Sequence, residues 1–416
     1  MKKSVQNNSI QDDFLTISKS EIAENCLIKN ISDTEHECHL FSGDNLSILE
    51  KLIASYEEKI NFCYIDPPYN TGSNFIYGDT LKSRKDSIFG THSKWMEFIK
   101  TRLLLSKVLL ANDGIIAVSI DDYEQAYLKV VMDQVFGEEN FIGTICVCRS
   151  NNGKRSRSSI ATNHEYVLVY GKSSSSKVMG FKEVESSRYD KEDSHGKYTN
   201  DGLFRKKGDA SRREDRPNMY FPLYYDILGN VYVEKHNDNL KEVYPVDSKG
   251  NEKRWLWGKD KAKRDSWKLY ASKNGVIYVK NYFDSENRKY PKSLWIDNRY
   301  LTTKATNEIK EIYGDKIFET PKPIGLIEDL IECFCHKDGV ILDFFAGTGT
   351  TAHAAKNLNH TRNYNLRTVL VEQSLTISEN HIARINGFET TSDLTKKRLE
   401  VIKQRYHPSF SFSVFE

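Results

Sequence analysis

The chain has 416 residues, enough for two or three domains, of which 38% are apolar and 28% are charged. Its apolar stretches are interrupted by polar residues before they reach membrane-spanning length, and its polar N-terminus differs from a signal peptide. The seven cysteines are not spaced like zinc ligands, so we expect reduced thiols, no metal site and a cytoplasmic protein.

Charge is distributed unevenly along the chain. Residues 151–300 carry 31 Lys and Arg against 21 Asp and Glu, whereas the remaining residues carry 29 against 37. A basic segment within an acidic remainder is typical of a domain that binds a polyanion. A solvated basic surface without a partner is the alternative interpretation.

The first predicted βαβ unit covers residues 40–65. A short strand leads through Gly43 and Asp44 into an amphipathic helix, and the continuous apolar run Ile60–Ile65 predicts a strand buried on both faces. Asp44 follows the first strand, so it can face a ligand at the sheet edge or cap the helix.

The second strand ends abruptly in Asp66-Pro67-Pro68-Tyr69. Neither proline donates a backbone hydrogen bond and both fix φ, which predicts a stiff loop at the edge where open α/β sheets bind ligands. Asp66 and the Pro67 carbonyl could accept hydrogen bonds from an amino group on a planar ring, and Tyr69 could stack on that ring. A proline-stiffened surface turn is the alternative.

The next elements are a predicted helix over 94–112, a buried strand over 114–120 and a β pair over 142–148 and 166–170. The connection inside this pair is rich in Ser, Gly and Asn. It also holds basic side chains that we expect either to contact phosphates or to be solvated, namely Lys154, Arg155 and Arg157.

Beyond the serine run at 173–176, helical periodicity is weak and short aromatic runs alternate with polar turns. Four of the five tryptophans lie in the region 177–317, interleaved with Lys and Arg. This pattern fits a nucleic-acid-binding surface, although we expect most of the aromatic residues to form the core of a small β-rich domain.

The second motif is the sequence Asp-Phe-Phe-Ala-Gly-Thr-Gly at residues 343–349, between a buried strand and a helix. Glycines in this position let a ligand approach the backbone and the helix N-terminus. The next strand, 368–372, ends in Glu372, and an acid there commonly binds ribose hydroxyls. A helix over 393–406 is predicted near the chain's end.

Together, the two motifs resemble those of the β-class amino-methyltransferases of DNA, most closely the modification (Mod) subunits of type III restriction-modification systems. In that class D-P-P-Y precedes F-x-G-x-G, with the target-recognition region between them. The similarity covers 40–74, 95–140, 165–172 and 321–357. The chain is shorter than typical type III Mod proteins, which predicts a reduced target region.

The resemblance implies an α/β fold, a Rossmann-like S-adenosylmethionine-dependent methyltransferase sheet in circularly permuted order with an inserted, smaller, β-rich target-recognition domain. The expected organisation is an N-terminal extension (1–30), the first catalytic part (31–176), the target-recognition region (177–317) and the second catalytic part with a C-terminal helix (318–416).

The resemblance also implies roles for individual residues. The flipped target base would be held by Asp66, Pro67, Pro68 and Tyr69. Asp44 would bind the adenine of S-adenosyl-L-methionine and Glu372 its ribose, while Lys322 and Pro323 would border its methionine part. The remaining cofactor-binding residues would be Asp343, Phe344, Phe345, Ala346, Gly347, Thr348 and Gly349.

The implied activity is methylation of adenine N6 in double-stranded DNA, since the acid in D-P-P-Y favours adenine over cytosine N4. Cytosine-N4 methylation and a non-catalytic DNA-binding subunit are the alternatives. A nucleotide-dependent oxidoreductase would leave Asp66–Tyr69 unexplained. The family further implies a homodimer and, in a restriction system, a separate endonuclease subunit.

Overall fold

The computed structural model describes residues 36–70, 92–152, 160–182, 188–284 and 287–416, with Asp201 described in its backbone only. The chain forms two compact units. Unit 1 comprises the residues up to Phe181 together with Tyr290–Glu416, and unit 2 is Lys182–Lys289. The chain enters unit 2 within the short strand β6 (Phe181–Lys182) and leaves it directly after β14 (Arg288–Lys289).

Unit 1 is built on one large mixed sheet, which has nine strands within the described ranges. In sheet order these strands are β15 (Leu294–Trp295), β4 (Phe141–Cys148), β5 (His164–Gly171), β3 (Leu110–Ile120), β2 (Ile60–Ile65), β16 (Val340–Asp343), β17 (Arg367–Glu372), β1 (Cys38–Ser42) and β18 (Phe412–Phe415).

The strands from β3 to β18 in this order run parallel to one another. Strand β5 is antiparallel to both of its neighbours, β3 and β4. The carboxyl ends of β2, β16, β17 and β1 therefore meet at one edge of the sheet.

Helices cover both faces of this sheet. One face packs against α1 (Asn45–Tyr56), α2 (His92–Leu109) and α3 (Gln125–Phe136), and the other against α6 (Ile324–Phe334) and α7 (Thr350–Arg362). Within β2, Cys63 and Ile65 face the first layer and Phe62 and Tyr64 the second. Strand β2 lacks alternating polar and apolar residues because both of its faces are buried, as predicted.

The remaining helices of unit 1 are α5 (Thr302–Tyr313), α8 (Ile382–Ile385) and α9 (Thr391–Val401), and a π-helical turn follows at Ile402–Tyr406. Short 3-10 turns occupy Glu138–Asn140 and Asn298–Tyr300. The predicted helix over 94–112 ends at Leu109, because residues from Leu110 onwards already belong to β3. The helix predicted over 393–406 is α-helical over Thr391–Val401 and π-helical over Ile402–Tyr406, so its predicted end at residue 406 is confirmed.

Unit 2 is β-rich. One sheet consists of β12 (Leu269–Ala271), β13 (Ile277–Tyr282), β8 (Gly196–Leu203) and β7 (Lys191–Asp193), and a second of β10 (Val231–Tyr232), β9 (Leu223–Tyr225) and β11 (Lys241–Val243). A short helix, α4, covers Lys259–Arg264, and 3-10 turns cover Pro217–Met219 and Ser266–Lys268.

The tryptophans of the inserted region have different environments. Trp255 is buried in the core of unit 2 and Trp257 packs against that core, whereas Trp267 is exposed. Trp295 belongs to the core of unit 1, because β15 pairs with β4. The compact inserted unit, 182–289, is accordingly shorter than the region 177–317 expected from the sequence.

Among the described residues, no helix is long and apolar enough to cross a membrane. In the same part of the chain, no three His, Cys, Asp or Glu residues are grouped so that they could hold a metal ion. The predicted N-terminal extension, 1–30, lies outside the described residues.

Candidate active site

The carboxyl edge of the parallel strands gathers the two motifs. Leu342 of β16 pairs with Cys63 of β2, so Asp343 and Asp66 leave adjacent strands. On the other side of β16, strand β17 ends at Glu372, which pairs with Ser42 of β1. Four acidic positions singled out in the sequence therefore share this edge, namely Asp44, Asp66, Asp343 and Glu372.

Helix α2 holds the D-P-P-Y loop through a side-chain hydrogen bond. Trp95, which is fully buried, donates a hydrogen bond of 2.7 Å from Nε1 to the carbonyl oxygen of Pro68. The loop ends at Asn70, whose φ of 55° lies in the left-handed region that Asn tolerates better than most residues. The prolines and Trp95 together hold the loop in one conformation.

A buried carboxylate anchors the residue after the motif. Glu124, which has no exposed surface, accepts a hydrogen bond of 2.7 Å from Asn70 Nδ2. The same carboxylate lies 2.8 Å from Nδ1 of His92, the first residue of α2. Glu124 thus connects the end of the D-P-P-Y loop to the start of α2.

Asp66 lies at the centre of a hydrogen-bonded cluster. Its Oδ1 accepts a 2.5 Å hydrogen bond from the Tyr69 hydroxyl and its Oδ2 a 2.7 Å bond from Lys322 Nζ. Lys322 Nζ is also 2.8 Å from the Tyr69 hydroxyl and 5.0 Å from the centre of the Tyr69 ring. Both oxygens of the motif's carboxylate are therefore engaged within the protein.

Two further charges complete the cluster. Glu165 is buried, with Oε2 3.6 Å from Lys322 Nζ and 3.7 Å from Arg149 Nη1. Burial raises the pKa of Glu165 above its ordinary value, although Lys322 opposes the rise. Burial lowers the pKa of Lys322, but Asp66 and Glu165 outweigh it and the net pKa is raised, so the ammonium stays charged.

The glycine loop is organised by Asp343. This buried carboxylate accepts hydrogen bonds from the Phe345 backbone N–H at 3.1 Å and the Thr351 hydroxyl at 2.5 Å. Burial raises its pKa to about 7 despite both hydrogen bonds. Gly347 donates its N–H to Glu372 Oε2 at 2.7 Å, which links the loop to β17.

The loop backbone is shaped to receive a ligand. Gly347 and Gly349 have φ values of 55° and 77°, which residues with a side chain rarely adopt. A Cβ on Gly347 would meet no heavy atom closer than Phe318 Cζ at 3.7 Å, so the glycine leaves a cradle open above the backbone. Such a cradle beside a helix N-terminus fits S-adenosyl-L-methionine, the cofactor implied by the motif.

The side chains of the loop differ in what they can offer. Phe344, Ala346 and Thr348 are buried, so these positions contribute backbone groups, whereas Phe345 is partly buried and its ring centre lies 6.0 Å from that of Phe98. Asp44 caps α1, accepting the Ser47 N–H at 3.0 Å, and its carboxylate is about half exposed. Of the two roles that the sequence allowed for Asp44, the helix-capping role is therefore present.

The structure places two of the predicted cofactor-binding residues, Lys322 and Pro323, next to the D-P-P-Y loop or at a helix start. Lys322, expected beside the methionine part of the cofactor, has its ammonium hydrogen-bonded to Asp66 and Tyr69, and Pro323 is the residue immediately before α6. The three predicted phosphate-binding residues, Lys154, Arg155 and Arg157, lie outside the described residues.

Sequence reasoning did not single out Glu165, Glu124 or Trp95. A signal existed for Glu165, because it is the one acid in the otherwise apolar segment 165–170, and a charge in such a strand needs a partner. Nothing in the local pattern around Glu124 indicated burial, since it follows Asp121 and Asp122 in an acidic turn. Trp95 lies in the helix predicted over 94–112, and its apolar character does not indicate a hydrogen bond to the loop.

Comparison with known proteins adds to this geometry. The sequence model of a family described as DNA methylase (N6_N4_Mtase) matches residues 60–377. The type II methyltransferase M.KpnI of Klebsiella pneumoniae is 49% identical over 391 residues, which cover 94% of this chain and 93% of that protein.

A second relative is the Mod subunit of the type III restriction-modification enzyme EcoPI of Escherichia phage P1. It is 33% identical over 397 residues, covering 87% of this chain but only 62% of that protein, so the chain spans less than two thirds of its length. Among solved structures, the M1.HpyAVI–SAM complex is 13% identical, with a TM-score of 0.40 over 87% of this chain and 98% of that one.

Proposed function

The chain belongs to the N6/N4 DNA methylase family, and from this premise we propose that it transfers a methyl group from S-adenosyl-L-methionine to N6 of adenine in double-stranded DNA. The observation that carries the proposal is the placement of Asp66 and the glycine loop on adjacent strands, at one edge of the sheet. A group held by the first motif would thereby meet a cofactor held by the second.

A base inside a duplex cannot reach this edge, so the target nucleotide must first leave the stack, at a cost of about a few kcal/mol. In the flipped base, the amino group would donate hydrogen bonds to Asp66 and to the Pro67 carbonyl. Asp66 already accepts one hydrogen bond on each oxygen, from Tyr69 and Lys322, and each oxygen has a second lone pair that can accept from the base.

The amino nitrogen of adenine is a weak nucleophile because its lone pair is delocalised into the ring. Hydrogen bonds to two acceptors favour the pyramidal nitrogen whose lone pair is available for attack. When bound, S-adenosyl-L-methionine supplies the methyl group already activated on a sulfonium. Positive charge then develops on the attacking nitrogen, and the carboxylate of Asp66 would stabilise it until the surplus proton passes to water.

Much of the rate is expected to come from alignment, since holding two reactants in line replaces a bimolecular encounter. The loop that presents Asp66 is suited to this task because Trp95 holds it at Pro68 and Glu124 holds it at Asn70. The four charged groups around the site, Asp66, Glu165, Lys322 and Arg149, also sum to zero when all are ionised, so the site can hold a neutral base.

We further propose that the protein is the modification component of a restriction-modification system. M.KpnI is named a type II methyltransferase, and the alignment covers more than nine tenths of both chains. A separate restriction endonuclease, a homodimeric assembly and a cytoplasmic location belong to the same proposal.

The proposal is tested with purified protein, S-adenosyl-L-methionine and unmethylated plasmid DNA, followed by mass spectrometry of the digested nucleosides. We expect N6-methyldeoxyadenosine with the wild type and a loss of at least about a hundredfold with Asp66→Asn, which keeps the shape but removes the charge. N4-methyldeoxycytidine would assign the other base, and no methylated nucleoside would support a non-catalytic DNA-binding subunit.

A further inference from the structure

Two aliphatic side chains project from a tight turn of unit 2. Ile227 and Leu228 lie between β9 and β10, with exposed fractions of 99% and 78%. Single exposed apolar residues are common on protein surfaces. An adjacent pair at the tip of a hairpin is different, because it forms a small apolar patch that stands away from the rest of the unit.

The turn that carries this pair is held firmly. Asp226 Oδ1 accepts the backbone N–H groups of Leu228 and Asn230, both at 2.9 Å. The side chain of Asn230 donates to Asp226 Oδ2 at 2.8 Å. Gly229, with a φ of 89°, packs so closely that a Cβ would lie 2.7 Å from the carbonyl oxygen of Ala271. The apolar tip is therefore preorganised, and little backbone entropy is lost when it enters a partner.

A second turn of unit 2 has the same construction but a polar tip. It spans residues 247–251 and repeats the Asp-x-x-Gly-Asn pattern of residues 226–230. Its aspartate, Asp247, also accepts two backbone N–H groups on Oδ1, both at 2.9 Å. The two tip positions hold Ser248 and Lys249, which are exposed. Since the same turn forms with polar side chains at its tip, the fold does not explain the aliphatic pair.

A third turn lies beside the apolar tip. Residues 272–275 connect β12 to β13, and a Cβ on Gly275 would lie 2.8 Å from the hydroxyl of Tyr225, the residue before the first turn. This neighbouring turn exposes Lys273 and Asn274. Unit 2 as a whole carries 24 Lys and Arg against 19 Asp and Glu. An apolar tip flanked by a cation and an amide, on a basic unit, fits a polyanion with an apolar interior, which is how stacked bases present themselves.

The size of the tip separates the possible partners. A stable protein interface covers about 800 Å² on each partner, far more than two side chains on a turn provide. A step between stacked base pairs needs only one or two apolar side chains, and Ile and Leu are among the residues that insert there. The small area and the basic surroundings therefore favour DNA over a protein partner.

We propose that Ile227 and Leu228 form an apolar wedge that inserts between stacked base pairs of DNA bound by unit 2 and kinks the duplex. The inference rests on the proposed function, because it takes double-stranded DNA as the substrate. Partial unstacking of the bases costs free energy, which is offset by burial of the two side chains and by the contacts that bent DNA makes with a basic surface.

The test uses the intact protein and a short duplex that carries the sequence motif methylated by the wild type, with a donor dye at one end and an acceptor dye at the other. Saturating wild-type protein should raise the energy transfer between the dyes, because an inserted wedge kinks a duplex by about 20–90°. In Ile227→Ser/Leu228→Ser this rise should be lost, and binding should weaken by about tenfold.

Two further variants separate a wedge from a general surface effect. Ile227→Val/Leu228→Met keeps both side chains apolar and should retain the bend, with a dissociation constant within about threefold of the wild type. Leu294→Ser/Ile296→Ser replaces two aliphatic residues of unit 1 that are each more than half exposed, and it should behave like the wild type. All four positions are exposed, so we expect every variant to fold, which circular dichroism checks.

The inference is overturned if the wild type leaves the duplex straight, or if the serine variant of the tip still bends it. It is also overturned if this variant sediments as a smaller species than the wild type, because the tip would then contact a second copy of the chain. Absence of both methylation and DNA binding in the wild type would instead contradict the proposed function. The two failures are therefore distinguishable.

Discussion

At the scale of single residues, the carboxylate of Asp66 is held by hydrogen bonds within the protein itself. Tyr69 and Lys322 occupy both oxygens of Asp66, and Lys322 also bridges to Glu165. A lysine between two carboxylates offsets the repulsion between them. A base that binds there meets a carboxylate that is already paired, and each of its oxygens can accept a further hydrogen bond.

Lys322→Met should therefore impair catalysis more than cofactor binding. Without the ammonium, Asp66 and Glu165 repel each other and Glu165, whose pKa burial already raises, takes up a proton. We expect kcat to fall about tenfold to a hundredfold, roughly 1.4 to 3 kcal/mol, while the cofactor dissociation constant changes less than about threefold. Lys304→Met, at an exposed position of α5, is the matched control. Unchanged kcat in Lys322→Met would contradict the role of this lysine.

Asp343 should make the stability of the cofactor-free protein depend on pH. Its pKa is raised by burial from 3.8 to about 7, so the folded state binds the extra proton and stability decreases as pH rises through this range. Between pH 5 and pH 8, the free energy of unfolding of the wild type should fall by roughly 2.5 kcal/mol relative to that of Asp343→Asn. This follows from about 1.36 kcal/mol for each unit by which the two pKa values differ. Urea denaturation at both values measures the difference, and a constant difference would argue against a buried neutral carboxyl.

At the scale of elements, residues of α2 and of the start of α3 fix the conformation of the D-P-P-Y loop. The D-P-P-Y loop leaves β2, yet Trp95 of α2 holds the Pro68 carbonyl, and Glu124, just before α3, holds Asn70. Both supporting side chains are fully buried, so they are held in place by packing. The position of Asp66 is thus set by helices that carry none of the reacting groups.

Glu124→Gln should show this dependence. The amide keeps the size of the side chain but replaces one acceptor oxygen by a donor, which leaves a donor from Asn70 or His92 without its partner. We expect a loss of about 1–3 kcal/mol in stability and a lower kcat with a nearly unchanged KM for DNA. Thermal melts and steady-state assays beside Glu138→Gln, an exposed control, check the prediction. A KM effect without a kcat effect would refute it.

Local patterns in the sequence predicted the elements that carry the motifs. The strand Ile60–Ile65 was found because prolines stop it and its apolar run is continuous, and the loop at 343–349 because glycines separate a strand from a helix. The contact between Lys322 and Asp66 could not be found in this way. It joins residues 256 positions apart and depends on the sheet order that places β16 beside β2.

At the scale of the whole molecule, the two compact units differ in composition and in the sites they contain. Unit 1 contains the candidate active site, and unit 2 is the β-rich insertion with 24 Lys and Arg against 19 Asp and Glu. The sequence indicated such an insertion through its change of pattern but not its limits, because β15 and α5 follow the insertion yet belong to unit 1. We propose that unit 2 binds the DNA around the target.

Exposed lysines of α4 offer a test of this role. Lys259 and Lys261 point to solvent on unit 2, with Lys261 Nζ 4.8 Å from the ring centre of Trp257. Replacing both by Gln should weaken DNA binding and reduce the slope of log K against log salt by about one for each phosphate that the variant no longer neutralises. Titrations at several salt concentrations measure this slope. An identical slope in the double variant, or an equal weakening in the unit 1 control Lys304→Gln, would contradict the assignment.

The most direct measurement of the central claim is modification-sensitive long-read sequencing of DNA from cells that express the chain, beside cells that express Asp66→Asn. The proposed function predicts N6-methyladenine at nearly every copy of one short sequence motif with the wild type, and none at that motif with the variant. Modified cytosine in place of adenine, or the same genome-wide pattern in both cultures, would contradict it.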